Sequence, residues 1–159
     1  MNRSATIVLI AVAACLGLAA CGGSDDSSSS DDGTLSRTEL AKKADAICQT
    51  GEDDAEAVTA PADFSDANDA AAYFGEIVPL HQKQTDALAA LKPDDEAKAD
   101  WDAFMATQLA NQELLDTILA KAKAKDASGQ QDLQQFTEKA KQFAAAAKKV
   151  GSDVCAGTA

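Results

Sequence analysis

Residues 133–150 read LQQFTEKAKQFAAAAKKV, and this stretch decides the fold class. Its apolar side chains recur at alternating spacings of three and four, which places them on one face of an α-helix: Leu133, Phe136, Ala140, Phe143, Ala147 and Val150. Gly151 follows directly, and glycine is the residue type that most often ends a helix. The stretch therefore predicts an amphipathic helix that packs its apolar face against other elements.

The first of three further predicted helices begins at a capping box. Ser36 is followed three positions later by Glu39, so that the serine hydroxyl and the glutamate carboxylate each satisfy one free backbone N–H group. Small or apolar residues then recur on one face, in phase: Leu40, Ala44, Ile47, Cys48, Gly51, Ala55 and Val58. Gly51 is expected to weaken the middle of this helix, and Pro61 to end it.

The second predicted helix is capped by Ser65 or Asp66 and runs to about Leu91. Pro79 lies inside it, removes one backbone hydrogen bond and is expected to kink it. His81, the only histidine, lies on the apolar face beside this proline. There a neutral imidazole could bond the carbonyl that the proline frees; a ligand or catalytic role is the alternative.

The third predicted helix is the longest. Pro93 suits its first turn, acidic residues at its start and lysines at its end match the helix dipole, and Ser128-Gly129 ends it. Short loops between four amphipathic helices predict an all-α, antiparallel up-down-up-down four-helix bundle over residues 35–159. No strand pattern competes.

Ahead of the bundle, residues 1–20 have the layout of a lipoprotein signal peptide, with Arg3 before an uncharged run too short to span a membrane. The run closes on Leu18-Ala19-Ala20-Cys21. Cleavage between Ala20 and Cys21 and lipidation of Cys21 are expected, because small residues precede the cysteine and glycines follow it. An uncleaved anchor, a buried helix, or processing at Cys15 is the alternative.

Residues 21–34 are predicted to be a disordered tether. After Cys21 they consist mainly of glycine, serine and aspartate, with no side chain that could contribute to a core. Such a coil spans ~20 Å on average. Two acyl chains give stable membrane anchoring without a spanning helix. Glycosylation of the serines is the alternative to a plain spacer.

Two cysteines remain after this assignment, because Cys15 leaves with the signal peptide and Cys21 is lipidated. Disulfides persist outside the cytoplasm, and Cys48 and Cys155 have only one intramolecular pairing. At 1.5 Å rise per residue, the end of the fourth helix returns to about the level of Cys48. A Cys48–Cys155 disulfide is therefore predicted. Free thiols, a metal pair and intermolecular bonding are the alternatives.

Two short motifs carry a resemblance to a known group of proteins. They are Ala44-Asp45-Ala46-Ile47-Cys48 near the start and Gly151-Ser152-Asp153-Val154-Cys155 at the end. With them the chain resembles small alanine-rich lipoproteins and secreted proteins of high-GC Gram-positive bacteria, over roughly residues 35–157. The resemblance implies a helical bundle, a disulfide and an envelope location, and it carries over no catalytic residue.

The formal net charge of -12 argues against nucleic-acid binding. Neither a nucleophile motif beside His81 nor haem or di-iron spacing occurs, so no catalytic residue, cofactor or metal site is predicted. The acidic clusters at residues 52–56 and 63–69 leave weak divalent-cation binding open. The sequence thus predicts a non-catalytic lipoprotein, anchored by Cys21 on the extracytoplasmic face of the cell membrane. Its partner is an envelope protein or, alternatively, a small apolar or lipid ligand held between the helices.

Overall fold

Carboxylate and hydroxyl caps set where the helices begin. The Ser36 hydroxyl accepts the backbone N–H of Glu39, and the Glu39 carboxylate accepts that of Ser36, so the predicted capping box is confirmed. Asp66, rather than Ser65, caps the second helix by accepting the N–H groups of the second and third residues after it.

The computed structural model describes residues 33–157, and within this range the chain forms four α-helices and no strand. They are α1 (Arg37–Glu56), α2 (Ala67–Ala89), α3 (Asp95–Ala124) and α4 (Gly129–Val150). α3 packs against α2 and α4, and α1 packs mainly against α2. The predicted all-α four-helix bundle is confirmed. The predicted signal peptide and the tether up to residue 32 lie outside the described residues.

Two helix boundaries differ from those predicted. α1 ends at Glu56, well before Pro61, with Val58 N–H closing a turn on the Ala55 carbonyl. Pro93 lies outside α3 rather than in its first turn. The reason is the segment before α1: the Leu35 carbonyl accepts the N–H of Asp94 and holds that residue extended, so that Asp94 becomes the N-cap.

Apolar side chains form two clusters along the bundle. We call the end where Leu35 meets the α2–α3 loop the near end, and the opposite end the far end. The near cluster includes residues of all four helices and the C-terminal segment: Leu40, Ala44, Cys48, Leu88, Ala97, Trp101, Phe104, Ala147, Val150, Cys155 and Ala156. The far cluster has its buried members on α2 and α3: Ala70, Phe74, Val78, Leu114, Leu115 and Ile118. Phe64 and residues of α4 pack against it.

The far end is less completely covered because the helices differ in length. α1 has 20 residues and α3 has 30, so α1 is ~15 Å shorter. The buried residues of α1 all lie in the near cluster or beside it: Leu40, Ala41, Ala44 and Cys48. Residues 57–66 cross to α2 beyond the end of α1, and Phe64 from this segment packs on the far cluster.

The near end is closed by a disulfide and a buried turn. Cys48 and Cys155 are bonded, with their Cα atoms 5.2 Å apart, which confirms the predicted pairing. Asp45, one helical turn before Cys48, accepts the Ser152 hydroxyl at 2.5 Å and the Val154 N–H at 3.0 Å. Gly151 caps α4 with a left-handed φ of 81°, a conformation that glycine adopts without steric cost. These contacts turn the chain from α4 towards α1.

Candidate functional site: an apolar cavity at the far end

A cavity of about 480 Å³ lies at the far end of the bundle. Its walls come from residues 57–66, the start of α2, the end of α3, the α3–α4 loop and the start of α4. The apolar part of the lining combines large side chains with alanines: Phe64, Ala67, Ala70, Phe74, Ile118, Ala122, Ala127 and Leu133. This volume lies within the range of small-molecule sites, and a mostly apolar lining with a few polar groups is typical of them.

Two rings of an aromatic cluster, those of Phe64 and Phe74, line one side of the cavity. The ring centroids of Phe64, Tyr73 and Phe74 lie 5.2 to 5.5 Å from one another, and two of the three pairs meet edge to face. The Phe64 carbonyl also accepts a hydrogen bond of 2.7 Å from the Gln130 side chain of α4. The segment between α1 and α2 is therefore held against both α2 and α4, which gives the cavity a preformed wall.

Two exposed carboxylates lie on the rim. The Asp63 carboxylate accepts the Ser65 N–H at 2.7 Å, and the Asp126 carboxylate accepts the Ser128 N–H at 2.9 Å. Hydrogen bonds from Ser65 lower the pKa of Asp63, and hydrogen bonds from Ser128 lower the pKa of Asp126. Both residues are therefore negatively charged at neutral pH, and both line the cavity.

Lys125 is the cationic residue of the lining. It ends α3 in the left-handed conformation, with φ 57° and ψ 35°, and it is the one non-glycine residue with positive φ in the described range. Its ammonium group forms no ion pair within 4 Å among the residues from 33 to 157. The pKa of Asp66 is lowered first by hydrogen bonds from the backbone N–H groups of Asn68 and Asp69. The positive charge of Lys125 lowers it further.

His81 lies outside this cavity, in a buried polar layer between the two clusters. Its Nδ1 is 2.7 Å from the Gln112 side-chain oxygen, and its Nε2 is 3.4 Å from the Gln108 amide nitrogen. Gln108 also donates to the Thr85 hydroxyl at 2.9 Å. The expectation that His81 bonds the carbonyl freed by Pro79 was wrong, because the ring turns towards glutamines of α3 whose positions a helical pattern does not reveal.

The polar layer around His81 lies in the contact between α2 and α3, and its burial indicates a structural role. Burial lowers the pKa of His81, and the hydrogen bond to Gln112 and the charge of Asp116 oppose that effect only in part. The side chains of Thr85, Gln108, Asn111 and Gln112 are buried, and His81 beside them is half-buried. A neutral imidazole that donates to Gln112 and faces the Gln108 amide satisfies the ring, which favours the structural role over a catalytic one.

The other candidate residues from the sequence do not form a site. Asp54 of the first acidic cluster pairs with Lys83 at 3.0 Å, while Asp63 and Asp66 of the second are engaged in turns and caps. Among residues 33–157, no three histidine, cysteine, aspartate or glutamate side chains come close enough to hold a metal ion. Ala20 and Cys21, the predicted cleavage and lipidation residues, lie outside the described residues.

The depressions near Pro79 are smaller than the far-end cavity. α2 continues as a helix through Pro79, which is exposed. Two smaller depressions, of about 320 and 190 Å³, lie between α1 and α2, and the smaller includes His81 in its lining. The unequal lengths of the first and third helices, together with Phe64 between helices, could have indicated an uncovered end, but they do not locate a cavity.

Comparisons with known proteins add no relative: the chain has no significant match among protein-family models, curated proteins or solved structures. In the described part of the chain, no helix is both long enough and apolar enough to cross a membrane.

Proposed function

We propose that this protein is a lipid-anchored, extracytoplasmic binding module without catalytic activity, and that it holds a small, largely apolar ligand in the far-end cavity. The observation that carries the ligand proposal is the cavity itself. It combines a volume suited to a small molecule, an aromatic wall and a few rim charges.

The membrane anchor is supported by the sequence. A short apolar run ends in Leu18-Ala19-Ala20-Cys21, and a Gly/Ser/Asp stretch follows. The disulfide agrees with folding outside the cytoplasm, where such bonds persist. In this arrangement Cys21 carries the acyl chains that anchor the protein to the membrane, and the bundle follows later in the chain.

The positions of the anchor and the cavity at opposite ends of the bundle determine how a ligand reaches the cavity. The tether joins the bundle at the near end, where Leu35 hydrogen-bonds to the α2–α3 loop. The cavity lies at the far end, ~45 Å away along the 30 residues of α3. The ligand therefore enters from the side of the module opposite the attachment of the anchor.

A small ligand is favoured over a docked envelope protein because the described surface exposes almost no large hydrophobic side chain. Leu109 is the one large hydrophobic residue exposed among residues 33–157, at 55%. A single exposed leucine is normal on a soluble surface, whereas docking sites present contiguous apolar patches.

The anchor is tested by changing the lipidated residue. Cys21→Ala removes the thiol that takes the acyl chains, so we expect the protein to leave the detergent phase in a two-phase partition, while Cys15→Ala leaves partitioning unchanged. Retention of Cys21→Ala in the detergent phase would contradict lipidation at this residue.

The cavity is tested by filling it. Ala122→Phe places a ring inside the lining, and Ala124→Phe makes the same change at an exposed position of α3 outside it. Native mass spectrometry of protein purified from its producing host should show a bound small molecule on the parent chain and on Ala124→Phe, and apo mass on Ala122→Phe. Apo mass for all three proteins would contradict the proposal.

A further inference from the structure

We propose that the ligand of the far-end cavity is an organic cation, with an apolar body against the aromatic wall and an amine or quaternary ammonium group at the rim between Asp63 and Asp126. This inference rests on the proposed function, since it names the chemical class of the ligand for the same cavity. It is carried by the charges at the opening and by the aromatic rings in the lining.

The first observation is the balance of charge at the rim. The lining contains two carboxylates, those of Asp63 and Asp126, and one ammonium group, that of Lys125. The charge of Lys125 also acts on Asp66 at the start of α2, and Lys121, whose charge acts on Asp126, is itself paired with Asp132 at 2.6 Å. The positive helix ends of α2 and α4 contribute only about half a charge each. The rim therefore retains a negative potential.

Free acceptor capacity supports the same assignment. Asp63 and Asp126 each use Oδ1 to accept a backbone N–H two residues ahead. The side chain of the same serine, Ser65 or Ser128, also hydrogen-bonds to each carboxylate. A carboxylate has about four acceptor positions, so each can still accept from a charged donor while it keeps its turn. It accepts from an ammonium group more strongly than from a neutral donor.

The aromatic wall is the second, independent observation. Phe64 and Phe74 line the cavity and belong to the three-ring cluster with Tyr73. Ring faces carry negative quadrupole potential and attract alkylammonium groups, which is how quaternary ammonium ligands are recognised elsewhere. Aromatic rings beside carboxylates therefore suit a cation with an apolar body better than a neutral ligand.

The net charge of the whole molecule also favours a cationic ligand. The formal charge is -12, so an anionic amphiphile approaches against the field of the protein, whereas a cation is drawn towards it. Lys125 alone does not reverse this field. A fatty acid or another anion is consequently the ligand class that the charges disfavour.

Three probes of one shape separate the charge from the apolar body: (2-naphthylmethyl)trimethylammonium, 2-naphthalenemethanol and 2-naphthoate. Calorimetric titration uses the full mature chain with Cys21→Ala, so that no acyl chain competes for the probe. We expect the cation to bind about tenfold more tightly than the alcohol, and naphthoate to bind most weakly. The preference for the cation should shrink as salt is raised, because the rim is exposed.

Variants assign that preference to the two carboxylates. Asn at either position can still accept the backbone N–H, so Asp63→Asn with Asp126→Asn removes charge and preserves both turns. We expect this double variant to lose about fivefold to tenfold in affinity for the cation and to keep its affinity for the alcohol. Asp95→Asn removes an exposed charge at the near end and should change neither the affinity for the cation nor that for the alcohol.

The outcomes distinguish the two proposals. Tighter binding of naphthoate than of the cation, or unchanged cation affinity in the double variant, would overturn the cation assignment and leave ligand binding in the cavity intact. If none of the three probes binds, or if Ala122→Phe binds them as well as the parent does, the cavity proposal fails together with it.

Discussion

Asp45 and His81 show how single polar side chains join distant parts of this chain. Asp45 accepts hydrogen bonds from Ser152 and Val154, which are more than a hundred positions away, and so fixes the turn that presents Cys155 to Cys48. His81 joins α2 to α3 through Gln112. Asp45 and its partners belong to the two short motifs and His81 is the only histidine, but the sequence did not predict which groups these residues contact.

The Asp45 contacts predict a loss of stability on truncation. Asp45→Ala leaves the Ser152 hydroxyl, which is fully buried, and the Val154 N–H without their acceptor. We expect the free energy of unfolding to fall by about 2 kcal/mol in denaturant titrations. Asp53→Ala, at an exposed carboxylate of the same helix, should change it by less than ~0.5 kcal/mol. Equal effects of the two variants would contradict this role.

The pKa of His81 predicts a pH dependence of stability. Burial lowers the pKa in the folded state below the ~6.5 of an unfolded histidine, although Asp116 opposes the shift and Glu52 lines the same depression. The unfolded chain therefore binds the proton first as the pH falls. The contribution of His81 to stability is present above pH ~6.5 and is lost between that value and the folded-state pKa.

The measurement compares the parent with His81→Gln by urea titration at several pH values. The difference in unfolding free energy between them should shift in favour of the variant as the pH drops below ~6.5, and then level off. Titration of the rim carboxylates and of the net charge affects both proteins alike and cancels in this difference. A difference independent of pH would contradict the buried neutral imidazole.

At the scale of elements, the short length of α1 and its close approach to α2 shape the bundle. The short α1 leaves the far end to α2, α3, α4 and the segment that carries Phe64, and this uncovered end holds the cavity. Within α1, Gly51 lies against α2, because a Cβ atom built there would approach the Gln84 amide nitrogen to 2.8 Å. The glycine that the sequence suggested as a weak point in the helix thus also leaves room for a neighbouring side chain.

Gly51→Ala tests which of these two effects is larger. Alanine favours the helix by up to about 1 kcal/mol over glycine, and the atoms it meets belong to the end of a flexible, partly exposed glutamine. We expect Gln84 to move aside and the unfolding free energy to rise by about 0.5 kcal/mol. A loss of stability in the variant that Gln84→Ala relieves would show instead that the close approach is required.

At the scale of the whole molecule, the bundle is secured at one end and open at the other. The disulfide, the Asp45 turn and the Arg37 side chain, which donates to the Lys149 carbonyl at 2.8 Å, all join α1 to the end of α4. The cavity lies at the opposite end, where the chain has no such covalent bond among its described residues. The cavity and the covalent closure are thus separated along the bundle.

Loss of the disulfide should lower stability without removing the fold. The bond spans 107 positions, and closing a loop of that size restricts the unfolded chain by about 4 kcal/mol. In Cys48→Ala with Cys155→Ala we expect the melting temperature to fall by ~10 °C or more, with helical circular dichroism retained at low temperature. Two free thiols in the parent protein under non-reducing mass spectrometry would contradict the bond itself.

The sequence by itself determined the helices, their order and the disulfide. The capping box at Ser36, the apolar face of residues 133–150 and the glycine cap at Gly151 each involve residues within a few turns of one another, so a linear pattern reveals them. The cysteine pairing followed because two cysteines permit one intramolecular bond and the helix lengths bring them level. The lipid anchor at Cys21 stays a prediction from sequence.

Only the tertiary structure decided where the cavity lies and what the polar residues contact. The cavity depends on where four helices of unequal length end. The local pattern did not give the end of α1, because the apolar face continues to Val58 although the helix ends at Glu56. The partners of Asp45 and His81 lie on other helices or beyond them, and a helical period states which face a residue occupies but not what packs against it. Chain-distant contacts therefore formed the site, while local interactions formed the elements that carry it.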